Sequence, residues 1–363
     1  MIRIRPGVIR EIRQVFPDYI EGVVESEAEE AKFIAYPQIT GTLDVGDEVL
    51  LNTTALTLNL GTGGYHYVMA NLTNKIKDDH GEGHIMKLRY TPAQVRCLAA
   101  EEEDSNVKDK IDRFSGLKAM PVVIGELHSM LPPAAAALKE LSGDRLKAVY
   151  IMTDGAALPI AFSRLVRILK EKELIDGTIT IGHAFGGDYE AVNIYSGLIV
   201  AKMVLEADVV IVSMGPGIVG TGTKYGFTGI EVASIIDAVN GLGGTPIAIP
   251  RLSFADERER HIGVSHHTLT SLGELAHTKA ILPFPCEIDE SRKALIEEML
   301  KNSKIYEKHE VRWVSRAQQG IDRLMKDGVE VKTMGRAINE DKEFFLAASA
   351  GGILAADFSL ISS

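Results

Sequence analysis

From Met120 onward the sequence alternates short β-branched runs with helical stretches, and no other feature restricts the fold so strongly. The runs at 121–124, 146–152, 178–181, 208–214, 245–249 and 279–282 have the length and composition of strands. Between them, 132–141, 156–172, 191–206, 230–240 and 268–277 read as helices. This order predicts an α/β fold with a doubly wound, mainly parallel sheet. In the second stretch Leu158, Phe162, Leu165 and Leu169 recur at helical spacing, so one face should cover the sheet. The third is apolar almost all round, which places it in the interior or at a subunit interface and points to a homo-oligomer. After Pro285 an amphipathic helix at 291–301, a last strand at 329–333 and a helical tail around Phe344–Ala348 should complete the domain.

Residues 1 to about 92 have a different texture. Short runs at 7–12, 19–24, 32–36, 48–51, 55–60 and 65–69 alternate with turn signals and predict a small N-terminal β barrel or sandwich. Gly61-Thr-Gly-Gly64 reads as a hairpin turn. The polar segment 75–84 groups His80 and His84 with Asp78, Asp79 and Glu82, which is chelating chemistry on what reads as a solvated loop. An acidic run, Glu101–Ser105, is read as a linker, giving domains 1–105 and 106–363. At 363 residues, two domains are the natural division.

Charge narrows the partners. With 50 acidic against 39 basic residues the net charge is −11, which argues against nucleic-acid or polybasic membrane binding. The apolar stretch Ala191–Leu205 is interrupted by Asn193, Ser196 and Lys202 and falls short of a membrane span. Only Cys97 and Cys286 are present, and Met1-Ile-Arg-Ile-Arg-Pro-Gly7 has charges without an apolar core behind it. Both observations lead to an expected cytoplasmic location.

The strand at 208–214 opens into Gly215-Pro-Gly-Ile-Val-Gly220, a G-x-G-x-x-G spelling. Pro216 removes one backbone donor, a further loop delays the helix, and Asp237, seventeen residues beyond Gly220, falls inside that helix. A nicotinamide-nucleotide oxidoreductase is therefore the alternative reading. A broader one fits better: Gly217, Gly220, Thr221, Thr223 and Lys224, ahead of a helix, form a cradle for a phosphate or carboxylate. A purely structural crossover is the competing explanation.

In open α/β sheets ligands bind beyond the carboxyl ends of the strands. Five successive strand ends carry polar residues here: Glu126 and His128; Thr153 and Asp154; His183 and Asp188; the glycine loop; and the segment from Arg251 to Thr268. Arg251, Arg258 and Arg260 would neutralise a small anion, unless Asp256, Glu257 and Glu259 pair with them. His183 with Asp188, together with His266 and Asp154, would transfer protons. His183, Asp188 and His267 are the candidate ligands of a divalent metal able to activate water, and Asp154 and His266 extend that pool. No HExxH spelling is present, and adjacent histidines need a bend to reach one ion. Ser265 is placed to cap the next helix. No G-x-S-x-G elbow occurs, which leaves Ser213 and Cys286 as remote nucleophile candidates.

Gly182-His-Ala-Phe-Gly-Gly-Asp188, Gly215–Thr223, Ser265-His-His-Thr268 and Thr333-Met-Gly-Arg336 together resemble an uncharacterised bacterial family, a domain of unknown function of about this length. The resemblance covers essentially the whole chain and implies no activity. It groups these four motifs, and Arg336 with them. The residues themselves lead to an expected enzyme, a hydrolase or group transferase acting on a small anionic, phosphorylated or nucleotide-like substrate. A ligand sensor or assembly scaffold without catalysis is the further alternative.

Overall fold

A computed structural model describes residues 2–58, 63–78 and 81–362. The chain divides into two compact units, Met1–Leu98 and Ala99–Ser363. In the first, β1 (Ile4–Phe16), β2 (Tyr19–Ser26), β3 (Glu29–Ala35), β4 (Glu48–Asn52) and β5 (Tyr65–Asn71) close a barrel in the order β1-β2-β3-β5-β4. It is a barrel and not a sandwich. Alternate residues turn inward, so Ile9, Ile20, Val24, Phe33, Val49, Leu51 and Val68 form its core. The long β1 wraps by means of register shifts at Ile9/Glu11 and Ile12/Gln14. Gly22 faces this bend, where a Cβ would collide with the Glu11 carbonyl.

Two expectations change in this unit. Thr54–Thr57 is a helical turn where a strand was expected, because Thr57 Oγ1 donates to Thr53 O and Asn52 Oδ1 accepts from Thr54 N. Short hydroxyl and amide side chains that bond the nearby backbone favour turns over a ladder. In the stretch 74–103, expected as loop and linker, Ile85–Lys87 pairs with Val95–Cys97 as a small hairpin. Gly61, Thr62, Asp79 and His80 lie outside the described residues.

In the second unit β6 (Pro121–Ile124), β7 (Ala148–Thr153), β8 (Gly177–Thr180), β9 (Tyr189–Glu190), β10 (Val209–Met214), β11 (Thr245–Ala248), β12 (Ile281–Pro285) and β13 (Glu310–Val314) form one sheet. Its order is β9-β8-β7-β10-β6-β11-β12-β13, parallel throughout. Every residue of β6, β7, β8 and β10 is buried, which is why β6, β7 and β10 read as largely apolar runs and β8 as a β-branched one. The helices α1 (Leu131–Ser142), α2 (Arg164–Glu171), α3 (Ile194–Met203), α4 (Val232–Gly241), α5 (His266–Thr270), α6 (Glu290–Lys301), α7 (Gln318–Lys326) and α8 (Lys342–Ser362) flank the sheet. α1, α7 and α8 pack together as one layer, while α3 and α4 meet in another.

The window Lys342–Ile361 in α8 is long and apolar enough to cross a membrane, with mean hydropathy 1.8, but 78% of it is buried inside the protein. It serves as a core helix. Backbone contact with α1 is close enough that a Cβ on Gly352 would overlap the Ala134 carbonyl. The predicted last strand is reduced to Lys332–Thr333, which pairs with Arg336–Ala337 in a ribbon separate from the main sheet. The acidic run belongs to the second unit: Ala100 N donates to Glu190 O, Glu101 accepts from Val192 N and Glu102 from Ala99 N. It is anchored structure and not a solvated linker.

Candidate functional site

The chain runs from β6 to β7, out to β9, and returns to place β10 between β7 and β6 before continuing to β11 on the far side. The loops that follow β6, β10 and β11 therefore meet at one crevice, the location that reversal of strand order favours for ligands. They bring together Glu126, the glycine loop and the segment Arg251–Thr268.

In that segment Leu252–Ser253 pairs with Gly263–Val264, and Gly263 turns the corner at φ +71°. His261, on the short turn Glu259–His261, is thereby folded back against the start of α5. Ser265 caps α5, its Oγ accepting from His267 N, as the sequence led us to expect. The result is a triangle of imidazoles. His266 and His267 rings are 4.4 Å apart, each is 5.0 Å from His261, and one ring nitrogen from each of the three lies within 4.8 Å of the others. A tetrahedral ion with bonds near 2.05 Å needs about 3.4 Å between nitrogens, so binding would draw the nitrogens together by up to about 1.4 Å.

The free ring nitrogens are set by their neighbours. His267 Nδ1 lies 2.6 Å from Glu126 Oε1. Arg251 Nη1, which only donates, stands farther off at 3.2 Å; the shorter contact with the accepting carboxylate assigns a proton to Nδ1 and leaves Nε2 as the ring nitrogen available to a metal. Phe227 stacks on the same ring, and Gly220 faces His267 Nε2, 3.7 Å from where a Cβ would stand. His261 Nδ1 is 2.7 Å from Ser265 Oγ, and the tautomer that donates to Ser265 leaves its Nε2 open. His266 Nε2 is buried without a hydrogen-bond partner. Burial, reinforced by Arg251, Arg258 and His267, pushes His261 down to about 3. Burial and then His267 and Arg260 lower His266. Such imidazoles are neutral and able to ligate near pH 7.

The arginines expected to neutralise a substrate are largely committed. Arg258 binds Asp256 through two 2.8 Å contacts and holds that carboxyl well below the usual carboxylate range. Arg251 is buried with Glu126 at 3.2 Å and Asp256 at 3.8 Å. Arg336 joins Asp256 to the buried Asp341, whose pKa burial raises. Arg260 differs: among the described residues it has no ion-pair partner, and its Nη2 approaches Gly222 of the glycine loop.

The cradle residues also have other roles. Thr221 and Thr223 hydroxyls bond each other, Thr221 N donates to Gly226 O, and Lys224 pairs with Glu274 at 2.8 Å. Thr221 and Thr223 thus close the loop on itself, and Lys224 ties it to the segment Ser271–Leu275. Gly220 remains at the histidines, whereas Gly217, with φ +106°, lines a separate cavity beside Ser163. The dinucleotide reading fares poorly: α4 starts only at Val232, and Asp237 accepts from His277 N, Thr278 N and Thr278 Oγ1.

His183 and Asp188 do not form the expected pair. The loop turns back at Gly186 and brings Asp188 level with Thr178, where its carboxylate accepts from Thr178 N and Oγ1 and from Lys170. That is the amino half of β8, away from the ligand edge. His183 N donates to Asp154 Oδ2, and Thr153 Oγ1 donates to Glu231 Oε1, whose burial raises it to about 7. Asp154 and His183 therefore belong to a separate carboxylate cluster. Of the three predicted metal ligands only His267 lies in the histidine triangle. His266, expected in proton transfer, completes it with His261. His261, Glu126 and Phe227 escaped selection as site residues, although a third histidine five residues before His266 was a visible signal.

A family model described as "Protein of unknown function (DUF3866)" matches residues 32–352. The chain belongs to this family. No curated protein matches the chain. In this DUF3866 protein three of the four motifs behind the resemblance reach the crevice or its support: Gly215–Thr223, Ser265–Thr268 and, through Arg336, Thr333–Arg336. The fourth, Gly182–Asp188, does not.

Proposed function

We propose that His261, His266 and His267 hold a divalent transition metal, and that the protein uses it to hydrolyse, or transfer a group from, a small anionic substrate. The carrying observation is the triangle of imidazoles with Glu126 on Nδ1 of His267. Imidazoles braced by a carboxylate are a zinc-type environment, and three protein ligands leave a position for water. A bound ion would supply Lewis acidity and bring the pKa of that water toward about 7. Arg260 and the adjoining glycine loop supply the contacts for a phosphate or carboxylate.

The test is to titrate metal-stripped protein with Zn2+ and Co2+ by calorimetry and absorbance, then to screen the loaded protein against phosphate and carboxylate esters. One ion per chain, lost in His261→Asn and His267→Asn variants that still fold, is the expected result. Binding at full strength in both variants would refute the site. Tight binding without turnover of any ester would remove the catalytic reading.

A further inference from the structure

A cavity of about 410 Å³ is lined by His128, Ser163, Arg164, Leu165, Gly217 and Met334, among others. At its wall, hydrogen bonds run in one direction. Tyr150 Oη has a single proton and carbonyl acceptors at Ser213 O, 3.2 Å, and Met214 O, 3.3 Å. It therefore accepts from His128 Nδ1 at 3.2 Å, and the proton of that imidazole is fixed on Nδ1. His128 Nε2 is then the acceptor for Ser163 Oγ, 2.6 Å away. Ser163 Oγ accepts in turn from Val166 N at 3.1 Å, so its own proton is the one directed at His128. Burial pushes His128 down to about 4, which keeps the imidazole neutral and accepting at ordinary pH.

Ser163 is also the N-cap of α2. Arg164 and Leu165, first in that helix, line the same cavity, and their amides have no acceptor one turn back. A nucleophile followed by free backbone amides is the arrangement that stabilises a developing oxyanion. A serine that serves only as a cap does not require a buried histidine with a fixed tautomer on its hydroxyl.

We propose that this cavity is a second, metal-independent site, in which Ser163 Oγ is a nucleophile toward short carboxylic esters, His128 is its base and Tyr150 positions the imidazole. Attack forms the Ser163 Oγ–acyl bond while His128 Nε2 takes the hydroxyl proton. That proton passes to the departing alkoxide as the ester C–O bond breaks. Water then releases the carboxylic acid and restores the serine. Leu165 and Met334 provide apolar surface for the acyl chain, with Arg164 at the mouth.

The experiment incubates the full chain, with chelator present, with p-nitrophenyl butyrate and separately with an alkyl fluorophosphonate, and reads intact mass followed by peptide mapping. The expected result is one adduct per chain at Ser163. Ser163→Asn keeps a capping side chain and should melt near the parent temperature without forming the adduct. His128→Asn should slow labelling by about 100-fold or more. No adduct at Ser163 in the folded parent, or equal labelling rates in His128→Asn, would overturn the proposal. Because the chelator withholds metal from the histidine triangle, these outcomes are independent of the function proposed above.

Discussion

The Phe227 ring lies on that of His267 with centroids 3.8 Å apart and planes within 2° of parallel. With Glu126 fixing Nδ1, the stacked ring leaves His267 one orientation, in which Nε2 faces Gly220. Phe227→Leu keeps apolar bulk but removes the flat surface. Affinity for Co2+ should fall about 10-fold with little change in melting temperature, as loss of an orienting neighbour usually does. Calorimetric titration beside the parent decides it.

Glu126 carries two roles that substitution can separate. Glu126→Gln keeps the shape and should weaken metal binding by about 10- to 100-fold. Glu126→Ala strips a partner from the buried Arg251 and should in addition cost about 3 kcal/mol of stability. Denaturant melts beside the parent check it; a Glu126→Ala midpoint equal to the parent's would show that the Arg251 pair contributes nothing.

Arg260 is exposed and has no ion-pair partner among the described residues. Arg260→Gln should leave stability within about 0.5 kcal/mol of the parent. Inorganic phosphate should bind the metal-loaded variant about 10-fold more weakly. Unchanged phosphate affinity would place the anion elsewhere.

Glu231 gives a pH signature. Burial raises it from 4.5 to about 7, with Thr153 opposing and Asp154 adding to the shift. Between those values the folded state holds a proton that the unfolded state has lost. Its contribution is thus fully present below pH 4.5 and lost as pH rises through 7, by roughly 3 kcal/mol at most. Glu231→Gln has no such proton, so its stability relative to the parent should climb from pH 5 to pH 8. A constant difference over that range would show that Glu231 is ionised when folded.

Gly352→Ala tests the interface of α8 with α1. The added methyl meets the Ala134 carbonyl, a backbone atom that cannot rotate away. Destabilisation of about 3 kcal/mol or more is expected by thermal melting.

The sheet was legible because strands buried on both faces spell themselves as unbroken runs such as Val209–Met214. Convergence of strand ends was a sound premise, but strand order decided which ends met. Glu126 and His267 are 141 positions apart and become neighbours only because β6 and β11 are adjacent. Pairwise spacing misled at His183 and Asp188, which a glycine turn carries apart. Charge type misled at Lys224, which Glu274 already occupies, while the pairing of Arg258 with Asp256 was the competing expectation from its neighbours in sequence. The helical turn at Thr54–Thr57 was hidden by apolar residues whose neighbours bond to the backbone.

The insertion of β10 between β7 and β6 has a kinetic consequence. Until Val209–Met214 is in place, both of its neighbours present unsatisfied edges, each a template for pairing with another chain. An intermediate without this strand is therefore open in the middle and not at its margin. Substitutions that slow its entry should reduce the yield of folded protein through aggregation, even where the finished molecule is fully stable. The glycine loop leaves from the same strand, so the step that removes the hazard is also the one that completes the crevice.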